Sequence, residues 1–179
     1  MALARLLFRV LLTLLILLIV IGLALPSSVV VERSIDIDSP PDKVFPQVNN
    51  LRNFHAWSPW SAMDPNTSYS FEGPENGTGA RMIWQSSETE VGIGTMQIVR
   101  SEPGREVETR LDFGGGKGQG IATFVLSPQA NGNTRVLWRF QTTFGWDLFG
   151  RYIGLMFDRM IGSTYEKGLQ ALKQRVEAS

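Results

Sequence analysis

The chain carries little of the hardware of catalysis: it has no Cys, and His55 is its only histidine. Thiol nucleophiles, disulfides, Cys-rich zinc sites and His-triad metal sites therefore drop out. His55 sits among aromatic neighbours, where a satisfied packing role is the simpler reading; general acid–base work would need a partner to orient and tune the ring. The run Gly114-Gly115-Gly116-Lys117-Gly118 lacks the Ser or Thr after Lys and the GxGxxG spacing of a phosphate loop, and it lies between two strands, so it reads as a hairpin. The pairs Glu88/Glu90 and Glu106/Glu108 fall on loop or strand faces and read as solvated charge rather than as a carboxylate dyad. No catalytic residue is assigned; His55 and Tyr165 are the only candidates, and the residues point to no metal and no cofactor. What the chain does have is rings, with 5 Trp, 10 Phe and 3 Tyr, which build cores and apolar pockets more readily than they do chemistry.

The elements that must position these rings follow from patterning. Residues 6–25 (LLFRVLLTLLILLIVIGLAL) are apolar except for Arg9 and Thr13, giving roughly 30 Å of helix, the thickness of one bilayer core. Arg9 can snorkel, Arg5 lies just outside, and no acidic residue precedes Glu32, so the positive-inside rule predicts a cytoplasmic N-terminus and an exported domain, periplasmic in a Gram-negative bacterium. The rival is a cleaved signal peptide, for which Gly22-Leu23-Ala24 is only a weak cleavage site. The expected division is an anchor over 1–27 and one domain over 28–179, a size that leaves little room for a second domain.

Lys+Arg and Asp+Glu are both 17, and with Arg5 and Arg9 assigned to the anchor, 15 cations face 17 acids in the remainder. Scattered, balanced charge offers a phosphate backbone no footprint, which excludes nucleic acid as the partner.

Strands are expected over 29–38, 80–85, 92–102, 105–113, 120–127 and 134–143, divided by Gly, Pro and Asn-Gly turns. Alternation turns Ala80, Met82 and Trp84, then Val107, Thr109, Leu111 and Phe113, then Val136, Trp138 and Phe140 to one apolar face, although Leu137 breaks the outward pattern. Ser39-Pro40-Pro41-Asp42 reads as a helix start with Ser39 as N-cap; a short helix is expected to about Asn49, with a kink or an early stop at Pro46 inside it. Residues 51–60 suggest a second short helix or turn, and 64–79 a turn-rich loop. Apolar residues at 149, 152, 153, 156, 160, 161, 165, 169, 172 and 176 form a helical stripe over 148–177. One long helix is expected, with any kink at Gly162, where a capping-box pattern follows. Its Phe157, Met160 and Tyr165 should then face the sheet.

An antiparallel sheet wrapped around one long C-terminal helix, with two short helices after the first strand, is the helix-grip arrangement of the α+β class. Two stretches carry a resemblance to a known family. In VERSIDIDSPPDKVFPQVNNLRNFHAWSPW a strand runs into Ser-Pro-x-x-x-Val-Phe and then Leu-x-x-Phe-x-x-Trp-Ser-Pro-Trp, and STYEKGLQALKQRVE carries a Gly-Leu-x-x-Leu-Lys ending. From Val31 onward the chain resembles the SRPBCC superfamily of START and birch-pollen-allergen-like folds, specifically its polyketide cyclase/dehydrase group, with Pro46 as the departure. The resemblance implies a cavity between sheet and long helix that holds an apolar small molecule or lipid; most relatives bind or carry, and some cyclise or dehydrate.

On that basis Trp57, Trp60, Met82, Trp84, Met96, Phe124, Trp138, Phe140, Phe157 and Met160 are the expected ligand-binding residues, each with plain core packing as its alternative. The expected function is that of a membrane-anchored domain binding a hydrophobic small molecule or lipid. Two alternatives stand beside it: a cyclase/dehydrase-type enzyme using His55 or Tyr165, which would need convergent titratable groups in the cavity, and a protein-interaction module at the membrane surface, which would show a filled core and an exposed apolar patch.

Overall fold

The computed structural model describes residues 2–89, 91–114 and 118–178. Glu90 and Gly115-Gly116-Lys117, and with them the Glu88/Glu90 pair and the centre of the glycine-rich run, lie outside the described residues.

An apolar helix α1 (Ala2–Ala24) precedes strand β1 (Ser28–Ile37), three short helices α2 (Pro41–Asn49), α3 (Leu51–Trp57) and α4 (Pro59–Met63), and strands β2 (Ser68–Glu72), β3 (Arg81–Gln85), β4 (Ile93–Glu102), β5 (Glu106–Phe113), β6 (Gln119–Pro128) and β7 (Thr134–Thr143). Helices α5 (Leu148–Gly154) and α6 (Phe157–Glu177) complete the chain. Among the described residues the strands form one antiparallel sheet in the order β1-β7-β6-β5-β4-β3-β2. The curved sheet gripping a C-terminal helix is the expected α+β helix-grip fold. Because β1 pairs with β7, from Ser28↔Thr143 to Ile37↔Thr134, the end of α1 and the start of α5 emerge from the same end of the sheet.

Several expectations are corrected. The segment 64–79 is not all loop: Tyr69 and Phe71 alternate with Ser68, Ser70 and Glu72 in β2, which pairs with β3. Pro40, not Ser39, occupies the cap position of α2; Ser39 is buried one residue earlier, where its carbonyl accepts a hydrogen bond from Thr134 Oγ1 at 2.7 Å. Helix α2 ends at Asn49 as expected, and of the two outcomes expected at Pro46 the early stop does not occur. The C-terminal stretch is two helices, and the break falls at Leu155–Met156 rather than at Gly162, which lies inside α6. The reason is a second packing partner. α5 turns away to lie against the end of α1, whereas α6 continues over the sheet.

Close approach explains why two glycines stand in α6. A Cβ on Gly168 would lie 2.8 Å from the Trp138 ring, and one on Gly162 would lie 2.0 Å from the guanidinium of Arg33. Arg33 is the one charge in the row Val29, Val31, Arg33, Ile35, Ile37 on alternate positions of β1. It binds Asp158 Oδ1 at 2.8 Å and Glu166 Oε1 at 2.7 Å, a turn either side of Gly162, and so ties the first half of α6 to the sheet edge. Leu169, Leu172 and Val176 hold the second half through the buried core that includes Ile37 and Val136.

Candidate functional site

Trp138 organises the filled part of the interior. Its ring stacks on Tyr165 with centroids 3.9 Å apart and on Phe124 at 4.9 Å, and Phe54, Trp57 and Trp60 meet it edge-on between 5.7 and 6.1 Å. This is close aromatic packing that leaves no room for a guest. Trp57 is drawn further from any cavity by its indole N–H, which donates to the Gln47 carbonyl at 3.0 Å.

Beyond Trp60 and Tyr165, toward β3, β4 and β5, the sheet and α6 diverge around a cavity of about 310 Å³. Met82, Trp84, Met96, Leu111, Phe113 and Phe140 form its sheet wall, Phe157, Ile161 and Tyr165 its helix wall, and Phe54, Ser58, Trp60 and Ser61 the side under the short helices. Glycines shape the sheet wall: a Cβ on Gly120 would fall 2.4 Å from the Phe140 ring, and one on Gly94 2.3 Å from the Trp84 ring, so each aromatic rests against bare backbone. Trp84 is held from its other edge by its indole N–H, which donates to the Val91 carbonyl at 3.1 Å. Phe113 meets both Trp84 and Phe140 edge-on, and Phe140 stacks on Phe157.

The short-helix side is fixed by Asp64 at the end of α4. Its carboxylate accepts from the Ser86 hydroxyl, from Thr67 Oγ1 at 3.1 Å and from the Asn66 amide at 2.9 Å, so α4 is fastened to the end of β3. These donors, Ser86 first, hold Asp64 below the usual carboxylate range.

The ten expected binding residues thus divide three ways. Trp60, Met82, Trp84, Met96, Phe140 and Phe157 line the cavity. Trp57, Phe124 and Trp138 belong to the filled aromatic cluster and do not line it. Met160, expected to face the sheet, is 57% exposed: Phe157, Ile161 and Tyr165 are spaced four apart on the inner stripe, and Met160 falls about 100° away from Ile161. Sequence reasoning misses Tyr69, in a segment expected as loop, and the hydroxyls of Ser58 and Ser61; the alternation in Ser68-Tyr69-Ser70-Phe71 is the available signal for the first.

The two chemical candidates are not brought together as a pair. Tyr165 lines the cavity, and burial pushes its phenol well above the ordinary value, so it stays a neutral hydrogen-bond donor. His55 does not line the cavity; it packs on Tyr69 with centroids 4.1 Å apart, and its Nδ1 shares a 2.7 Å hydrogen bond with the hydroxyl of Ser61, which does line it. Desolvation lowers the His55 pKa below 6.5, so the ring is neutral near pH 7. Among the described lining residues the only ionisable side chains are Tyr69 and Tyr165, and no group of acidic or His residues could hold a metal. Such a cavity suits an uncharged, apolar guest with a polar atom or two at one side.

Comparison with known proteins agrees with this fold. A protein from Thermobifida fusca superposes with a TM-score of 0.63 at 16% identity, covering 82% of this chain and 92% of that one. Ara h 8.0201 superposes with a TM-score of 0.58 at 12% identity (85% and 99%), and a protein from Nitrosospira multiformis with 0.58 at 16% (82% and 95%). At these identities the likeness is one of fold. No curated protein matches the chain. Residues 28–177, however, match the model of one family over both ends of the helix-grip domain, and the chain belongs to that family, polyketide cyclase / dehydrase and lipid transport.

Proposed function

We propose that residues 28–179 bind a hydrophobic small molecule or lipid, without turning it over, in the cavity between the sheet and α6. The observation that carries this reading is the lining itself: mostly aromatic, Met and aliphatic side chains line a cavity of about 310 Å³, with no carboxylate or cation among the described lining residues. The proposed contacts are Trp60, Met82, Trp84, Met96, Phe140 and Phe157, with the Tyr165 hydroxyl as the buried donor. The test is native mass spectrometry of the detergent-extracted full chain. A co-purifying apolar mass is expected on the parent and should be lost from Met96→Trp, whose indole would occupy the cavity; a parent with no bound mass, and none taken up from an added fatty acid, refutes the reading.

The proposal extends to α1, which crosses a bilayer with its N-terminus cytoplasmic and carries the domain outside. Leu3–Ala24 is long and apolar enough to span. Retention rather than cleavage is supported by Arg151, whose Nη1 donates to the carbonyls of Gly22, Leu23 and Leu25 at 3.0–3.3 Å, and by Tyr152, whose hydroxyl donates to the Leu18 carbonyl at 2.6 Å. Cleavage after Ala24 would strip three of these four bonds, all but the one to Leu25. A C-terminal reporter should be active only when exported, and the chain should resist a carbonate wash; a soluble chain beginning near Leu25 overturns the anchor.

One observation favours the cyclase/dehydrase-type alternative: the Ser61–His55 bond places a neutral imidazole behind a hydroxyl on the cavity wall. Against it, no carboxylate bonds His55 among the described residues, so nothing orients or tunes the ring as a base.

A further inference from the structure

α5 and the residues around it expose an unusual density of large apolar side chains. Trp146 is 85% exposed, Phe149 74%, Leu155 63% and Met156 55%, within eleven residues of one another. Scattered apolar residues on a surface need no explanation, but a cluster does. Its location supplies one. Among the residues of α1 whose side chains are described, Gly22 is the buried one, because α5 lies on it: a Cβ there would meet the Tyr152 ring at 3.2 Å and Leu148 at 3.4 Å. Tyr152 reaches Leu18, six residues back from the end of α1, about 9 Å along the helix axis.

From this contact we infer that α5 and its flanks are a second membrane contact, lying in the headgroup and upper acyl layer of the bilayer that α1 crosses. The inference rests on the anchor reading above. If α1 spans, α5 is carried to the depth of its last two turns, since the two are bonded along them, and a depth of about 5–10 Å is where interfacial helices lie. The side chains fit that layer. Trp146 and Tyr152 are the ring types of an interfacial belt, Phe149, Leu155 and Met156 are apolar, and Arg151 satisfies carbonyls at the end of α1 that no further helical turn can reach.

The consequence for the site follows from the chain. Met156 is in the exposed cluster and Phe157, the next residue, is cavity wall, stacked on Phe140 and meeting Phe144 edge-on. The Phe157 end of the cavity is therefore seated against the bilayer, and the guest it exchanges is a membrane-resident lipid that passes without crossing open water.

The test uses the full chain in phosphatidylcholine vesicles whose acyl chains are brominated either near the headgroup or near the terminal methyl. Emission should be quenched more by the shallow bromines, and the quenched component should vanish in Trp146→Phe, since the other tryptophans lie within the domain. A chain that floats with the vesicles but is unquenched, or quenched equally in Trp146→Phe, overturns the inference and leaves the anchor intact; a chain that does not float overturns both. Shielding that is the same in plain and brominated vesicles and falls on dilution would mean a second copy covers the patch, and also overturns it. As an independent arm, Phe149→Glu with Leu155→Glu changes only exposed residues and should slow transfer of a pyrene-labelled fatty acid from the protein to vesicles by about tenfold, because the affinity of an interfacial segment follows its buried apolar area. An unchanged rate, with the fold retained by circular dichroism, refutes the seating of the cavity.

Discussion

Trp84 and Gly94 are register partners across β3 and β4, and the indole occupies the space a side chain on Gly94 would need: a Cβ there would fall 2.3 Å from Trp84 Cζ2 and 2.6 Å from the Asp112 carbonyl of β5. Ring rotation can relieve the first clash but not the second, which is with backbone. Gly94→Ala should therefore cost about 1–3 kcal/mol, the usual range for overpacking, and drive the ring toward the cavity. Urea unfolding of the detergent-extracted chain measures the first effect, and loss of the bound mass measures the second. A neutral, binding-competent variant would mean the sheet yields there.

Cavity and filled core should respond oppositely to changes of volume. Met96→Trp adds bulk where there is space, so its cost in stability should stay below about 1 kcal/mol while binding is abolished. Trp138→Ala removes a ring packed on both faces and should cost about 3–5 kcal/mol. Equal, large losses from both would mean that Met96 belongs to ordinary core.

Removing the Tyr165 hydroxyl tests its role as the buried donor. Tyr165→Phe should weaken binding of the co-purifying guest by roughly 2- to 10-fold, the worth of one neutral hydrogen bond, without altering the stacking on Trp138. Competition measured by native mass spectrometry reads this directly. A loss of turnover rather than of affinity would instead support the enzyme reading.

The pH response of His55 follows from its environment. Desolvation lowers its folded-state pKa below the unfolded 6.5, so the unfolded chain binds the proton more readily. The contribution of His55 to stability is present above pH 6.5 and is lost as the pH falls from there through the folded value. Nitrogen-15 NMR titration of the ring should show a midpoint below 6.5, and His55→Gln should flatten this part of the stability profile. A midpoint above 6.5 would point to an unseen acidic partner, the feature an enzyme would need.

The Arg33 clasp predicts uneven motion in α6. In Arg33→Met the segment 157–166 should exchange its amide protons about tenfold faster, whereas 169–176, held by Leu169, Leu172 and Val176, should be unaffected. Acid should mimic the variant, since Arg33 holds the Asp158 carboxylate below its usual value and the bond is lost as pH falls through that lowered value. Uniform exchange along α6 would show that the clasp is dispensable.

What could be read from the residues was facing and periodicity. Alternation placed Met82, Trp84, Val136, Trp138 and Phe140 on the inner face, where they lie, but facing inward does not say whether the space ahead is filled: Trp138 and Phe140 are two residues apart on β7, and only Phe140 borders the cavity. That difference is made by Tyr165 and Phe124 closing on Trp138, a three-element coincidence with no local signal. The break at Leu155–Met156 was hidden because the apolar stripe runs through it; the stripe is shared between two partners, the sheet for α6 and α1 for α5. β2 was hidden by the turn residues that crowd both of its ends. The bond between Ser61 and His55 joins two short helices whose mutual angle no pattern in the chain encodes.

The pairing of β1 with β7 also governs how the protein is made. Ser28 leaves the ribosome roughly a hundred residues before its partner Thr143, about 5–20 s at ordinary elongation rates. Throughout that interval the first strand has no neighbour, and under the anchor reading it is already tethered beside a membrane and emerging on the far side. Closure of the sheet is thus a late, long-range event, which is the slow kind, and the Val29-Val30-Val31 edge stays open to wrong partners until synthesis is nearly complete.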